Sequence, residues 1–468
     1  MSSGGCTCVV YGRLGCRTVY SRILDCCGVS STDSNETILR PEDSREHENC
    51  TQRVSYARSV ELAGKARVLT SAASNVTRAR RPVRTLFRPG RDKQPGDTNM
   101  KSRALFLPFM VAAMCAANAA RADNDDFAYQ QTNLVSDGAV TAKTPDKNLQ
   151  NPWGIAAFPG GPFWIADNKT GVSTLYTGQG AIVPLTVKIP GPKNPPAGFT
   201  AAAPTGLVWN PNGSIFNVAP KTAALFIFAT EDGTISAWSP GQADRSAAIL
   251  EADNSDGGNG AVYKGLALST NSTGVFLYAT NFKAGTIDVF DSNFQPAKLA
   301  GAFSDRTLPP GYAPFGIALI DGNLFVTYAK QDAMKHDDVK GPGHGFVDVF
   351  DTDGNLITRF ASRGTLNSPW GIARAPLDFG PFSTRILIGN FGDGRISGFT
   401  SGGDFRGQLR DPKGRAVKID GLWSIVFGNG LAADPAKLYF TAGLNDEADG
   451  LFGSLSAVRT NDHDADDN

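Results

Sequence analysis

Apolar and polar positions alternate along most of the chain after residue 123, in short runs separated by Gly-rich turns, and the runs recur with a fixed order. Asn151-Pro-Trp-Gly-Ile-Ala156 is answered by Ala313-Pro-Phe-Gly-Ile-Ala318 and by Ser368-Pro-Trp-Gly-Ile-Ala373. Weaker copies are Ala203-Pro-Thr-Gly-Leu-Val208, Tyr263-Lys-Gly-Leu-Ala267 and Gly421-Leu-Trp-Ser-Ile-Val426. The central Gly, or Ser in the last copy, falls at 154, 206, 265, 316, 371 and 424, a period just above 50 residues. After each copy comes an apolar strand such as Phe276-Leu-Tyr-Ala-Thr-Asn281, then a polar turn with Gly. A third strand such as Gly285-Thr-Ile-Asp-Val-Phe290 closes the unit on an aromatic residue. Period-2 alternation is what a half-buried antiparallel strand requires, and units of this length repeated six times fit propeller blades.

The pattern therefore predicts an all-β fold, a six-bladed β-propeller of four-stranded antiparallel blades over residues 123–460. The closing aromatics are expected between neighbouring blades, where stacked twisted sheets need bulk. The sixth unit runs out soon after Val458, so its outermost strand has to come from elsewhere. Ala128–Val135 is the predicted partner, closing the ring with an N-terminal strand and removing an exposed edge. Residues 461–468 read as a frayed acidic tail.

Before residue 123 the pattern changes. Met100 opens a segment with Lys101 and Arg103 ahead of an apolar run from Ala104 to about Ala117, and Ala120-Arg121-Ala122 presents small residues where a signal peptidase reads. This is the anatomy of a secretory signal peptide over 100–122, too short to remain as a membrane span. Residues 1–99 show no sustained period and read as an upstream extension from a mis-assigned start. Six of the seven cysteines lie there, without the spacing of a zinc knuckle, and the seventh is Cys115. The expected propeller thus has no disulfide and is expected in a secreted or periplasmic setting.

Charge follows the same division. The chain holds 45 basic and 45 acidic residues, of which residues 1–122 carry 19 and 10, leaving the rest with 26 and 35, a net of −9. Such a domain repels polyanions, which excludes nucleic acid as a general partner.

With NPWGIA, FWIADNKTGVSTLY, YAKQDAMKHDDV and GFVDVFD in view, the region from about Asn133 to Arg459 resembles a family of exported bacterial proteins of uncharacterised function with NHL-like propellers. The resemblance implies the six-bladed fold and export. It brings no catalytic residues with it.

Chemistry in a propeller is expected at a mouth of the central channel. A polar residue follows the second strand in most units: Asp167 and Asn168, Glu231, Asn281, Gln331 with Asp332, Asn390, and Asn445 with Asp446. Carboxylates and amides converging from Asp167, Asn168, Glu231, Asn281, Asn390 and Asn445 would suit calcium, although the same residues also serve the turn that precedes Gly. The fourth unit departs from the others by an insertion, 330–344, holding Asp332, His336, Asp337, Asp338 and His344, which could ligate a metal or supply a general base or simply form a solvated loop. No G-x-S-x-G elbow, H-E-x-x-H pair or phosphate loop occurs after Met100. The expected function is a monomeric module binding a small molecule, a glycan or a protein. A cation-dependent hydrolase or lactonase at the channel mouth is the alternative.

Overall fold

Six antiparallel sheets arranged around one axis account for nearly all the regular structure in the computed structural model of the chain, which describes residues 127–460. The expected signal peptide, upstream extension and acidic tail lie outside the described residues. From the axis outward, blade 1 runs Pro152–Ala156, Phe163–Asp167, Val172–Tyr176 and Val187–Lys188. Blade 2 runs Pro204–Trp209, Phe226–Thr230, Thr234–Trp238 and Ile249–Asp253. Blade 4 is Tyr312–Ile320, Asn323–Lys330, Gly345–Phe350 and Leu356–Ser362. Blade 5 is Pro369–Arg374, Ile386–Asn390, Ile396–Phe399 and Phe405–Gln408.

Blade 3 keeps only three strands, Tyr263–Thr270, Val275–Asn281 and Thr286–Phe290, with an isolated bridge from Phe290 to Pro296 where the fourth would begin. Two backbone bonds flank that bridge, Asp291 N to the Gln295 carbonyl and Ala297 N to the Val289 carbonyl, both at 2.8 Å, and no further strand pairing follows. Blade 6 consists of Leu422–Phe427, Lys437–Gly443 and Asp449–Arg459, and its outermost strand is Phe127–Ser136, antiparallel to Asp449–Arg459 with Tyr129 opposite Ala457. The N-terminal strand thus closes the ring as its sequence predicts.

Packing follows from the alternation within each strand. Six apolar clusters lie between successive blades, for instance Trp164, Phe226 and Trp238 between blades 1 and 2, and Phe163, Tyr439 and Phe452 between blades 6 and 1. The closing aromatics Tyr176, Trp238, Phe290, Phe350 and Phe399 are all buried, each fully buried side chain of this size contributing about 2–3 kcal/mol.

The repeated glycine has a steric cause. A Cβ at Gly154 would stand 2.5 Å from the Thr205 carbonyl oxygen of the next blade, and one at Gly371 would stand 2.6 Å from that of Trp423. The inner strands pass one another too closely around the axis for a side chain at this level. A hydroxyl on the second strand then ties neighbouring blades together: Thr280 Oγ1 donates to the Phe315 carbonyl at 2.8 Å, and Thr441 Oγ1 donates to that of Trp153 across the closure.

Candidate functional site at the polar mouth of the channel

The residue before each of these central positions forms a ring around the axis: Trp153, Thr205, Lys264, Phe315, Trp370 and Trp423. Four of the six are aromatic and pack together, with Trp153 stacked on Trp423 at 3.4 Å between centroids and Trp370 edge-on to Trp153 at 6.1 Å. Phe282 and Phe391 join from the ends of the second strands of blades 3 and 5, Phe391 stacking on Trp423 at 3.8 Å. The motif tryptophans therefore plug the channel.

Lys264 occupies the same ring position, and its ammonium is almost wholly buried, 5.1 Å from the Trp153 ring centre and 5.7 Å from that of Phe282. Burial works against its charge. The Glu231 carboxylate paired with it, with Asp337 Oδ1 at 3.6 Å, more than compensates and holds Lys264 above its ordinary value.

From Lys264 a hydrogen-bonded chain runs round the mouth. Asn168 Nδ2 donates to Glu231 Oε2 at 2.8 Å, and Asn151 Nδ2 donates to Asn168 Oδ1 at 3.2 Å and to Glu447 Oε2 at 2.8 Å. The indole N–H of Trp423 donates to Asn151 Oδ1 at 3.0 Å, so the plug orients the polar layer above it. Gly443 is required here, since a Cβ there would collide with Asn151 Oδ1. Glu447 reaches the mouth from a turn in which Asn445, Asp446 and Glu447 all adopt left-handed backbone, with φ of 54°, 51° and 65°. Three such residues in succession are strained, and strain of this kind gathers where a side chain must be aimed. Burial and the nearby Glu231 raise the Glu447 carboxyl above its usual range.

The blade 4 insertion arches over this layer. Asp332 Oδ1 accepts the amides of His336 and Asp337 at 2.9 and 3.3 Å, folding the loop tip, and His344 Nδ1 donates to the Val339 carbonyl at 2.8 Å, bracing its base. The loop reaches blade 5 through the Gly341 amide, which donates to Asn367 Oδ1 at 2.7 Å, and through Lys340, 4.2 Å from the Phe391 ring centre. His336 Nδ1 lies 2.9 Å from Asp337 Oδ1; that bond raises the imidazole and lowers Asp337 to about 2. Burial raises Asp338. Atoms of Glu231, His336 and Asp337 lie within 4.8 Å of one another, a group able to hold a metal ion, but Lys264 Nζ already stands against two of them.

Of the six residues expected to converge, the structure brings Asn168 and Glu231 together. Asp167 is buried inside blade 1, accepting from Thr174 Oγ1 at 2.7 Å. Asn281 donates to Asp288 and accepts the Ala284 amide in its own turn; Asn390 donates to the Thr365 carbonyl and to Asp393. Asn445 faces solvent, bonded to Asp449. The reason is register. Asp167, Thr230, Asn281 and Asn390 are equivalent along their strands, and the next positions, Asn168, Glu231, Phe282 and Phe391, are those that face the channel, because successive side chains point to opposite sides. In the loop, Asp337 reaches Lys264 while His344 serves the loop itself. Three members of the site lie outside the set that the sequence predicts: Asn151, Lys264 and Glu447. Lys264 carried a signal, being the one charged residue in a ring of otherwise uncharged plug residues.

No protein-family model matches the chain. It is 34% identical over 334 residues to an uncharacterized protein of Acanthamoeba polyphaga mimivirus, an alignment covering 69% of this chain and 78% of that relative. A second protein of the same virus is 34% identical over 333 residues, covering 69% of this chain and 84% of its own length. The chain belongs to this family. Both relatives named here are viral, and their names state no activity for the family. Among solved structures, virginiamycin B lyase from Staphylococcus aureus is 14% identical, covering 70% of this chain and 99% of that one with a TM-score of 0.41. A protein of unknown function from Bacteroides thetaiotaomicron is 11% identical, covering 71% and 76% with a TM-score of 0.44.

Proposed function

We propose that the protein is a ligand-binding propeller whose site is the polar mouth, and that its ligand is a hydroxyl-rich molecule of the glycan class. The observation that carries this reading is the chain of side chains from Asn151 through Asn168, Glu231 and Lys264 to Asp337. It alternates donors and acceptors around one opening and is contributed by blades 1 to 4. Sugar hydroxyls are both donors and acceptors, so they match such a rim without the desolvation cost of a charged ligand. Screening the full-length protein on a glycan array tests it, with Asn168→Ala and Glu231→Gln alongside. Binding by the native chain that both variants lose is the expected result, and an array on which the native chain is blank refutes the reading.

The second reading is a cation-dependent hydrolase or lactonase, favoured by the proximity of Glu231, His336 and Asp337. It requires a cation to displace Lys264 from between two carboxylates. A thermal midpoint that rises with calcium and falls back with chelator would support it, because a ligand that binds only the native state stabilises that state. We also propose secretion, supported by the apolar run 104–117 and the small residues Ala120 and Ala122. A mature N-terminus at Asp123 is the expected finding. Among the described residues no helix is long and apolar enough to cross a membrane.

A further inference from the structure

Beyond the aromatic plug the inner strands continue toward the opposite end of the channel, and there the chemistry changes. A cavity of about 310 Å³ opens on the axis, walled by one branched aliphatic residue from each blade: Ile155, Leu207, Leu266, Ile317, Ile372 and Ile425. All six are buried to within a tenth of full coverage, and no titratable side chain lines the cavity. Trp370, a member of the plug, lies at its inner limit, so the cavity is blind. The loops that join inner to second strands emerge at this end. They carry some of the most exposed apolar side chains among the described residues, Leu431 at 99% and Leu377 at 86%, with Leu319 at 42% where its inner strand ends.

We infer that this cavity binds a single aliphatic chain. A blind recess cannot thread a polypeptide, and its walls carry no charge; the Ser424 hydroxyl and the Trp209 and Trp370 indoles are the polar side chains among otherwise aliphatic ones, so burial of apolar surface dominates what the recess offers. Its volume is roughly twice that of an apolar cavity of about 150 Å³ that holds one benzene. Apolar pockets of this size hold apolar ligands rather than ordered water. The inference is independent of the polar mouth, from which the plug separates it. The chain could come from a free fatty alcohol or acid or from a membrane lipid whose acyl tail enters the recess, and the two sources are separable.

The test is titration of the full-length protein with 1-decanol, followed by tryptophan fluorescence, since Trp209 and Trp370 line the cavity. Co-sedimentation with phosphatidylcholine vesicles forms the second arm. Saturable binding of decanol at one site, weakened at least tenfold by Ala157→Phe and by Leu319→Trp, is the expected outcome. Two variants are used because one of them could perturb folding, and circular dichroism of each identifies that case. Vesicle binding that both variants abolish, without decanol binding, would make a lipid tail the occupant. Absence of both, or binding that neither filling variant changes, overturns the inference.

Discussion

The two ends of the central channel are built from the same six strands, a few residues apart, yet they are chemically opposite. At one end Asn151, Asn168, Glu231, Lys264 and Glu447 form a connected polar layer. At the other, six branched aliphatic side chains surround an uncharged recess. Between them lies the plug of Trp153, Phe315, Trp370 and Trp423 with Phe282 and Phe391. The difference teaches that a lysine can be buried on the axis only where a carboxylate and ring faces accompany it. A propeller can therefore place two unrelated environments on one axis so long as a dry layer keeps them apart.

The largest effect should come from breaking that partition. Trp423→Ala removes the ring that stacks on both Trp153 and Phe391 and donates to Asn151, and should lower the free energy of unfolding by about 3–5 kcal/mol in a urea titration. A loss under about 1 kcal/mol would mean that the plug does not hold the blades together. Next is Lys264→Met, which leaves the half-buried Glu231 beside the plug without its counter-charge and should cost roughly 3 kcal/mol, most of it recovered in the double variant with Glu231→Gln. Additive losses in the double variant would show that the two are not coupled.

The apolar end should show the converse intolerance. Ile317→Asn places an amide on an aliphatic wall and should destabilise by about 2 kcal/mol, while Ile317→Val costs less than about 1.5 kcal/mol. Equal losses would remove the distinction between the two ends. Thr441→Val deletes the hydroxyl that closes blade 6 on blade 1 above that recess and should cost about 1 kcal/mol.

The smallest effect is one of pH and concerns only the polar end. Asp337, lowered to about 2, favours the native loop above its ordinary range near 4 and loses that contribution as pH falls toward 2. His336, raised by the same bond, favours it below about 6.5 and loses its contribution as pH rises through the raised value. Amide exchange over residues 332–344 should therefore be slowest between roughly pH 4 and 6.5, after correction for intrinsic rates. His336→Asn should flatten the profile; an unchanged profile would show that the pair does not hold the loop.

Much of the architecture was legible because its causes are local and repeated. Gly154, Gly206, Gly265, Gly316 and Gly371 mark the level at which inner strands crowd, the closing aromatics mark the gaps between blades, and Ala128–Val135 showed the alternation of a strand without a neighbour. The loss of the fourth strand of blade 3 was not legible, since the segment after Phe290 begins the same pairing as its counterparts, through the bridge from Phe290 to Pro296, and does not extend it. The site was half legible: Asn168, Glu231 and the loop around Asp337 belong to it, while Asp167, Asn281 and Asn390 differ from channel-facing positions by one residue. A sequence shows that a strand ends in polar residues, but a shift of one sends each to the opposite side, and only pairing with the neighbouring strands sets that phase.

What the sequence by itself determined is the number of blades, their strand order, the closing strand and the acidic surplus after residue 123, since periodicity and composition act residue by residue. Only the tertiary structure decided that the motif tryptophans turn inward and seal the channel, that Lys264 stands where a bound cation was expected, and that Glu447 arrives from a strained turn 296 residues away from Asn151. These depend on contacts between blades distant in the chain, and on which of two faces each side chain takes, a choice that packing makes after the strands have formed.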